Sequence, residues 1–447
     1  MSSSGLKPLS KAIYATGDFT VNTALSALGL IYTTYFLTQV AGLRPALAGL
    51  VPLVARSLDA FVDPIVGRLS DVTRSRWGRR RVYFLIGAIP FGICYALMWI
   101  PPPFETQWAN ATYYTIAYTL MGVWMSVLSV PYLALLPEMA LGYDERTSLN
   151  TYRMIGSLLG VFAAIGIRPV ANALGGGSQG FVLAGVLYGL GLALPWLLVY
   201  RVTFERPDFT NRTAGEGFID GVRNLLSHRN FNLLTGLFLA GRIAMDLVSA
   251  LLILYFTYWI GRSEDFELTM TLFLVTVVVT LPAWLHFARG HDKAPVFIVG
   301  CVWWMLTSLI FLFVQPDWPR WTLFVIPPLV GIGYGVVDVM PWAMLGEVID
   351  EDDLASGHRR EGLYNGVFTF LRKLAGALGV FVVLSILDYQ GFAQGEVQTE
   401  TVRNTIRVLT AVAPAVCLAF SILLAWNYPL TRAAHERIVE QLEQRDR

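Results

Sequence analysis

Long apolar runs separated by short polar breaks recur along the whole chain. Segments of spanning length occupy approximately 12–38, 46–68, 82–100, 111–138, 150–174, 180–201, 231–260, 267–288, 295–314, 320–345, 362–388 and 402–426. A helix needs about 20 mostly apolar residues to cross a bilayer, so the pattern predicts an all-α membrane protein of twelve transmembrane helices. Gly and Pro within these runs are tolerated because neighbouring helices satisfy the freed backbone groups. The longest polar break, 202–230, divides six spans from six. The expected organisation is a six-helix bundle over 1–201, a connecting loop over 202–230, a second six-helix bundle over 231–426 and a tail over 427–447. The short polar start, Met1 to Lys11, leads into an apolar stretch longer than a signal-peptide core, which reads as a retained first span.

Composition narrows the function. The 447 residues are 55% hydrophobic and 15% charged, against about 25% charged in ordinary soluble domains, which excludes a soluble enzyme. A net charge of +1 offers no global field for nucleic acid. Cys94, Cys301 and Cys417 lie far apart in apolar runs without a CxxC pair, and the five histidines fall in or beside loops and the tail. This gives neither a disulfide framework nor a metal centre, and no cofactor is expected. Lys and Arg concentrate in alternate loops: Arg68, Arg74, Arg76, Arg79, Arg80 and Arg81 between spans 2 and 3, further arginines at 202–230, Arg359 and Arg360, and the tail. The positive-inside rule then places both termini in the cytoplasm.

A weak internal repeat supports two related halves. Val130-Pro131-Tyr132-Leu133-Ala134-Leu135 followed by Glu138 ends span 4, and Met340-Pro341-Trp342-Ala343-Met344-Leu345 followed by Glu347 ends span 10. The next helices contain Gly156-Ser157-Leu158-Leu159-Gly160 and Gly376-Ala377-Leu378-Gly379. Two six-helix halves with a midplane site is the major-facilitator architecture.

Charges inside spans are expensive and mark function by default. Span 2 carries Arg56, Asp59 and Asp63; the two aspartates, four residues apart, share one helix face. Asp59 lies nine residues before Arg68, about 13 Å along the axis, too deep to snorkel. Two carboxylates so close titrate as a pair, and a sodium ion or a proton relieves them. An Arg56–Asp59 pair that only holds helices together is the alternative; it leaves Asp63 unexplained. In span 11, Arg372 and Lys373 point about 100° apart, so one of them is expected to face a cavity, either pairing with the span 2 acids or holding helices through Asp338 in span 10. Arg242 and Asp246, four residues apart in span 7, either satisfy each other or hold an anionic group of a substrate. In the 2–3 loop, Gly67 and Asp71 followed by Arg79 and Arg80 fit G-x-x-x-D…G-R-R. Such contacts can form in one conformation and break in another, or simply anchor the loop.

These residues carry a family pattern. Val54-Ala55-Arg56-Ser57-Leu58-Asp59-Ala60-Phe61-Val62-Asp63-Pro64-Ile65-Val66-Gly67, continuing to Trp77-Gly78, closely resembles the glycoside–pentoside–hexuronide:cation symporters. The similarity recurs in Arg360-Glu361-Gly362-Leu363-Tyr364-Asn365-Gly366 and at Tyr428-Pro429-Leu430-Thr431, and so covers nearly the whole chain. The resemblance implies that Asp59 and Asp63 bind the coupling cation, Na+ or H+, with Ser126 as a hydroxyl ligand. It also implies that Lys373, Thr369 one turn before it, and Arg153 in span 5 line the sugar site. This chain departs from the family's galactoside carriers. It has Asn22 or Thr23 where they carry a span 1 aspartate, and Ser129 and Leu133 where span 4 supplies an aspartate and a tryptophan. Val62 replaces an asparagine beside the second span 2 acid. With both sugar-gripping acids absent and Arg242 and Asp246 added, the expected solute is sugar-like but not melibiose, with a charged group favoured, as in a uronate, a sulfonated sugar or a zwitterion.

The expected function is therefore cation-coupled symport of a small polar solute, a sugar, glycoside or sugar acid, by a monomer in the inner membrane. A lysophospholipid or other amphipathic lipid is the alternative solute, since the wider group includes lysophospholipid transporters. A non-transporting receptor is the alternative from another class; no Ser/His constellation or nucleotide-binding loop supports an enzyme.

Overall fold

The computed structural model describes residues 6–140, 143–205, 225–288, 290–357, 360–393, 395 and 397–445. Its elements are helical: α1 (Pro8–Ala27), α2 (Pro45–Val72), α3 (Val82–Met98), α4 (Gln107–Met139), α5 (Tyr143–Ile165), α6 (Ile167–Ala173), α7 (Gly177–Val202), α8 (Arg229–Leu254), α9 (Phe266–Ala288), α10 (Lys293–Leu309), α11 (Thr322–Ser356), α12 (Glu361–Tyr389), α13 (Glu400–Trp426) and α14 (Arg432–Arg445). Helix is found at each of the twelve expected span positions. Among the described residues, nine helices are long and apolar enough to cross a membrane, ten if α5 and α6 form one bent span, and α3 is a shorter apolar helix. Most of the connection expected at 202–230, residues 206–224, lies outside the described residues.

Three local features go beyond the hydrophobic pattern. α1 continues as a π-helix over Leu28–Val40, and α8 continues as one over Tyr255–Ile260. Thr33 Oγ1 donates to Leu28 O, five residues back, at 2.9 Å, in keeping with the wider turn. The two stretches repeat one another: Ile31-Tyr32-Thr33-Thr34-Tyr35-Phe36-Leu37 and Leu254-Tyr255-Phe256-Thr257-Tyr258-Trp259-Ile260. Span 5 is broken between α5 and α6 with a bend of 41°. Pro169 explains it, because a proline ring clashes with the carbonyl four residues back, here that of Ile165, the last residue of α5. Ala163 O beside the break accepts from the Tyr188 hydroxyl at 2.7 Å. Finally, the tail expected at 427–447 contains a helix of its own, α14.

The chain divides into two compact units, Met1–Thr213 with Phe392–Glu396, and Ala214–Gly391 with Val397–Arg447. In the first, α1 packs on α5, α3 on α7 and α2 on α4. Lipid tails supply no hydrophobic drive between helices, so small residues that let backbones touch carry these contacts. A Cβ on Gly156 would meet Ala15 O, and one on Gly160 would meet Phe19 O. In the second unit, α8 packs on α13 and α12, and α11 on α9 and α10.

Candidate functional site

Helices α2 and α4 bring the span 2 acids against a hydroxyl. Ser126 Oγ lies 2.5 Å from Asp63 Oδ1 and 3.1 Å from Asp59 Oδ1. Asp59 is only 6% exposed. One hydroxyl has one proton and cannot donate to two carboxylates at once. The hydroxyl stands within hydrogen-bond reach of both acids. The side chain of Asp59 is admitted by Gly122, one turn before Ser126: a Cβ there would sit 3.2 Å from Asp59 Oδ1. Gly122 was not singled out from sequence. Arg56 donates from Nε to the Tyr118 hydroxyl of α4 at 3.2 Å, so its role is not confined to Asp59. Among the described residues no three His, Cys, Asp or Glu side chains gather to hold a metal ion; two carboxylates and a hydroxyl form a light, all-oxygen set. Gly122→Ala is expected to crowd Asp59 and weaken cation-dependent stabilisation, equivalent to about a tenfold loss of affinity, measured as a shift in the cation concentration needed to raise the melting temperature.

A second polar group joins α1, α4 and α5. Arg153 grips Asp18 through Nε–Oδ2 at 2.7 Å and Nη2–Oδ1 at 3.0 Å, and its Nη1 donates to Asn150 at 3.1 Å. The Tyr132 hydroxyl donates to Asp18 Oδ2 at 2.5 Å, while the Tyr132 and Tyr14 rings stack at 4.3 Å. Gly17 gives the Tyr132 ring its place, since a Cβ there would lie 2.7 Å from it. One turn further along α1, Asn22 Nδ2 donates to Asp18 O at 2.9 Å and to Ser157 Oγ at 3.0 Å. Span 1 therefore does carry a carboxylate at this wall, four residues before the expected Asn22 or Thr23. Asp18 was not singled out from sequence, although it shares the helix face of Asn22. Ser129 on α4 is half-buried.

In the second unit the corresponding charges lie on α8, α11 and α12. Arg242 Nη2 donates to Asp246 Oδ1 at 2.7 Å, and its Nη1 lies 3.7 Å from Asp338 Oδ1. Asp338 thus lies close to Arg242 of α8. A Cβ on Gly376 of α12 would run into Asp246 Oδ2, so α12 meets α8 at this carboxylate. Lys373 and Thr369 are half-buried on α12, and Lys373 precedes Gly376 by three residues as Arg153 precedes Gly156. Arg372 is close enough to Tyr334 of α11 to act on it electrostatically.

The loop between α2 and α3 is tied down by charge. Arg80 bonds Asp71 Oδ1 at 2.6 Å, Glu138 Oε1 at 2.6 Å and Ala134 O at 2.6 Å, and Arg79 reaches Glu138 Oε1 at 2.9 Å. Gly67 faces Val130, with room for ordinary contact. The backbone amides of Arg79, Arg80 and Arg81 all donate to the Glu205 carboxylate at 2.7–2.9 Å. Glu205 was missed, being remote in sequence. In the second unit Lys293 Nζ contacts Glu347 Oε1 at 2.7 Å and donates to Ala343 O at 3.1 Å. Each cation thus takes an alanine carbonyl and the glutamate four residues later, so the internal repeat is also a repeat of chemistry.

A helical membrane fold with acids gathered on span 2 and charged loop contacts defines a secondary transporter. The sequence profile of the MFS/sugar transport proteins matches residues 13–432, and the chain belongs to that family. An uncharacterized symporter of Synechocystis sp. is 29% identical, with 97% of this chain and 96% of that protein covered. A putative glycoside/cation symporter of Escherichia coli is 29% identical over 96% and 93%, and a sodium-dependent lysophosphatidylcholine symporter of Danio rerio 25% identical over 97% and 88%. Among solved structures, a bacterial homologue of the lysosomal transporter Spinster shares the fold, with a TM-score of 0.71, 12% identity and 98% and 99% coverage. The protein is a multi-pass membrane transporter of the symporter kind, as the span 2 motif implied, and not an enzyme.

Proposed function

We propose that the protein couples entry of a cation, Na+ or H+, at Asp59, Asp63 and Ser126 to uptake of a sugar, glycoside or sugar acid. The observation that supports this reading is the Ser126 hydroxyl set between two carboxylates inside a span, an all-oxygen group of the kind a small cation takes. In this reading the solute-recognising residues are Asn22, Ser129 and Arg153 in the first unit and Arg242, Asp246, Thr369 and Lys373 in the second. The halves over 1–201 and 231–426 move by alternating access, linked by 202–230. Gly67, Asp71, Arg79 and Arg80, with Glu138, form contacts at the cytoplasmic side that hold one state and break in the other. The arginine-rich loops place that side, and both termini, in the cytoplasm of a cell bearing this protein as a monomer in its inner membrane.

A lysolipid is the competing solute, favoured by Leu133, which is exposed at the position where the family's galactoside carriers have a tryptophan. A thermal-shift screen of the purified protein against glycosides, uronates, sulfonated sugars and lysolipids, with and without sodium at two pH values, tests both. The expected result is a sugar-like hit whose stabilisation grows with sodium or acid, because ligands that bind only the folded state raise the melting temperature. A cation-independent hit points instead to a receptor.

A further inference from the structure

We infer that Asp338 is a solute-recognising residue of the second unit, and that the group it accepts is a hydrogen-bond donor, a hydroxyl or an ammonium, rather than an anion. The inference rests on the transporter reading above but on none of the cation-site residues. Helix α11 runs for 35 residues, and Asp338 stands seven residues before 345, the end of the expected span, about 10 Å along the axis and too far for its short side chain to reach an interface. Its side chain is nevertheless 45% exposed, against 14% for Asp246 and 21% for Arg242. At mid-span an exposed carboxylate faces either lipid or a water-filled path. Lipid is the costly choice for an ionised group, and such residues turn to aqueous cavities. Asp338 therefore marks the wetted face of α11.

Charge around it decides what it can hold. The Arg242 guanidinium is committed to Asp246 at 2.7 Å and stands 3.7 Å from Asp338, the second distance too long for a direct hydrogen bond. One guanidinium between two carboxylates leaves that triad with a single negative charge. Arg372 of α12 also acts on this region, at Tyr334. An arriving carboxylate or sulfonate would compete with Asp246 for an arginine already taken and would meet the Asp338 oxygens, which ionised can only accept. A hydroxyl or ammonium meets acceptors directly. The anionic solute suggested by a mid-span arginine is thus disfavoured at this position, because the arginine brings its own counter-charges.

The local potential can be read without knowing the solute. Asp338→Cys and, separately, Val339→Cys are made in the full-length protein, and modification by a cationic and an anionic methanethiosulfonate is timed, with the unsubstituted protein as blank. Its cysteines Cys94 and Cys301 are buried and Cys417 is half-buried. Both new thiols are expected to react from water. At Val339→Cys the cation-to-anion rate ratio, normalised to a free thiol, is expected to exceed unity by about tenfold, and to fall towards unity when Asp338→Asn is added. Failure of either thiol to react would put this face of α11 away from water and overturn the inference. So would a ratio at or below that of the free thiol, or one that Asp338→Asn leaves unchanged. Because the assay reads neither cation binding nor transport, its failure is separable from failure of the coupling site.

Discussion

Asp59→Asn and Asp63→Asn each abolish accumulation of solute against its gradient, while the protein still folds and inserts. Asparagine keeps the volume of the side chain and an acceptor oxygen but removes the charge that a cation neutralises. Ser126 Oγ, 2.5 Å from Asp63 and 3.1 Å from Asp59, retains a partner in either variant, so the helix packing of α2 on α4 survives. The expected measurement is the ratio of internal to external solute in proteoliposomes under an imposed sodium or proton gradient: well above one for the unsubstituted protein and close to one for each variant. Downhill exchange with equal solute on both sides persists, because it does not require the gradient to do work. Ser126→Ala is the milder lesion, removing one neutral ligand and leaving both charges. Retained accumulation in both aspartate variants would remove the assignment of these residues to coupling.

The second large effect is structural. Arg153→Gln leaves Asp18 part-buried with only the Tyr132 hydroxyl and no counter-charge. Breaking a buried pair from one side typically costs about 3–5 kcal/mol. With 18% and 12% of the two side chains exposed, the cost here is expected towards or below the lower end of that range. The melting temperature should fall by several degrees, and Asp18→Asn should cause a comparable loss through the stranded guanidinium. The double variant Asp18→Asn/Arg153→Gln is expected to lose less than the sum of the two, because the second substitution removes the charge that the first left unpaired. Additive losses in this cycle would mean that the two side chains do not act as a unit.

The spans were legible because the bilayer sets their length and polarity, whatever the details of packing. What periodicity could not show was local backbone choice: the π-helical ends of α1 and α8, and the bend at α5–α6, which follows from one proline displacing one hydrogen bond. Asp59, Asp63 and Ser126 were legible for a different reason, their position in a specific motif, and the structure brings them together. Asp18 was not, because its partner Arg153 is remote in sequence and only the packing of α1 on α5 brings the two together. Asp338 was noticed in span 10, but its approach to Arg242 was not, since sequence spacing cannot tell how near α8 lies to α11. Glu138 and Glu347 stood in the repeat as punctuation, and only side-chain geometry shows that each binds the basic residue of a loop together with an alanine carbonyl.

The most direct test of cation coupling at span 2 needs no solute. The melting temperature of the purified protein is followed as sodium replaces choline at constant ionic strength, and again as pH is lowered, for the unsubstituted protein and for the Asp59→Asn/Asp63→Asn double variant. A rise with sodium or with acid in the former that is absent from the latter is the predicted result, and which titration gives it identifies the ion. The same response in both proteins, or none in the unsubstituted one, would contradict a cation site at Asp59, Asp63 and Ser126.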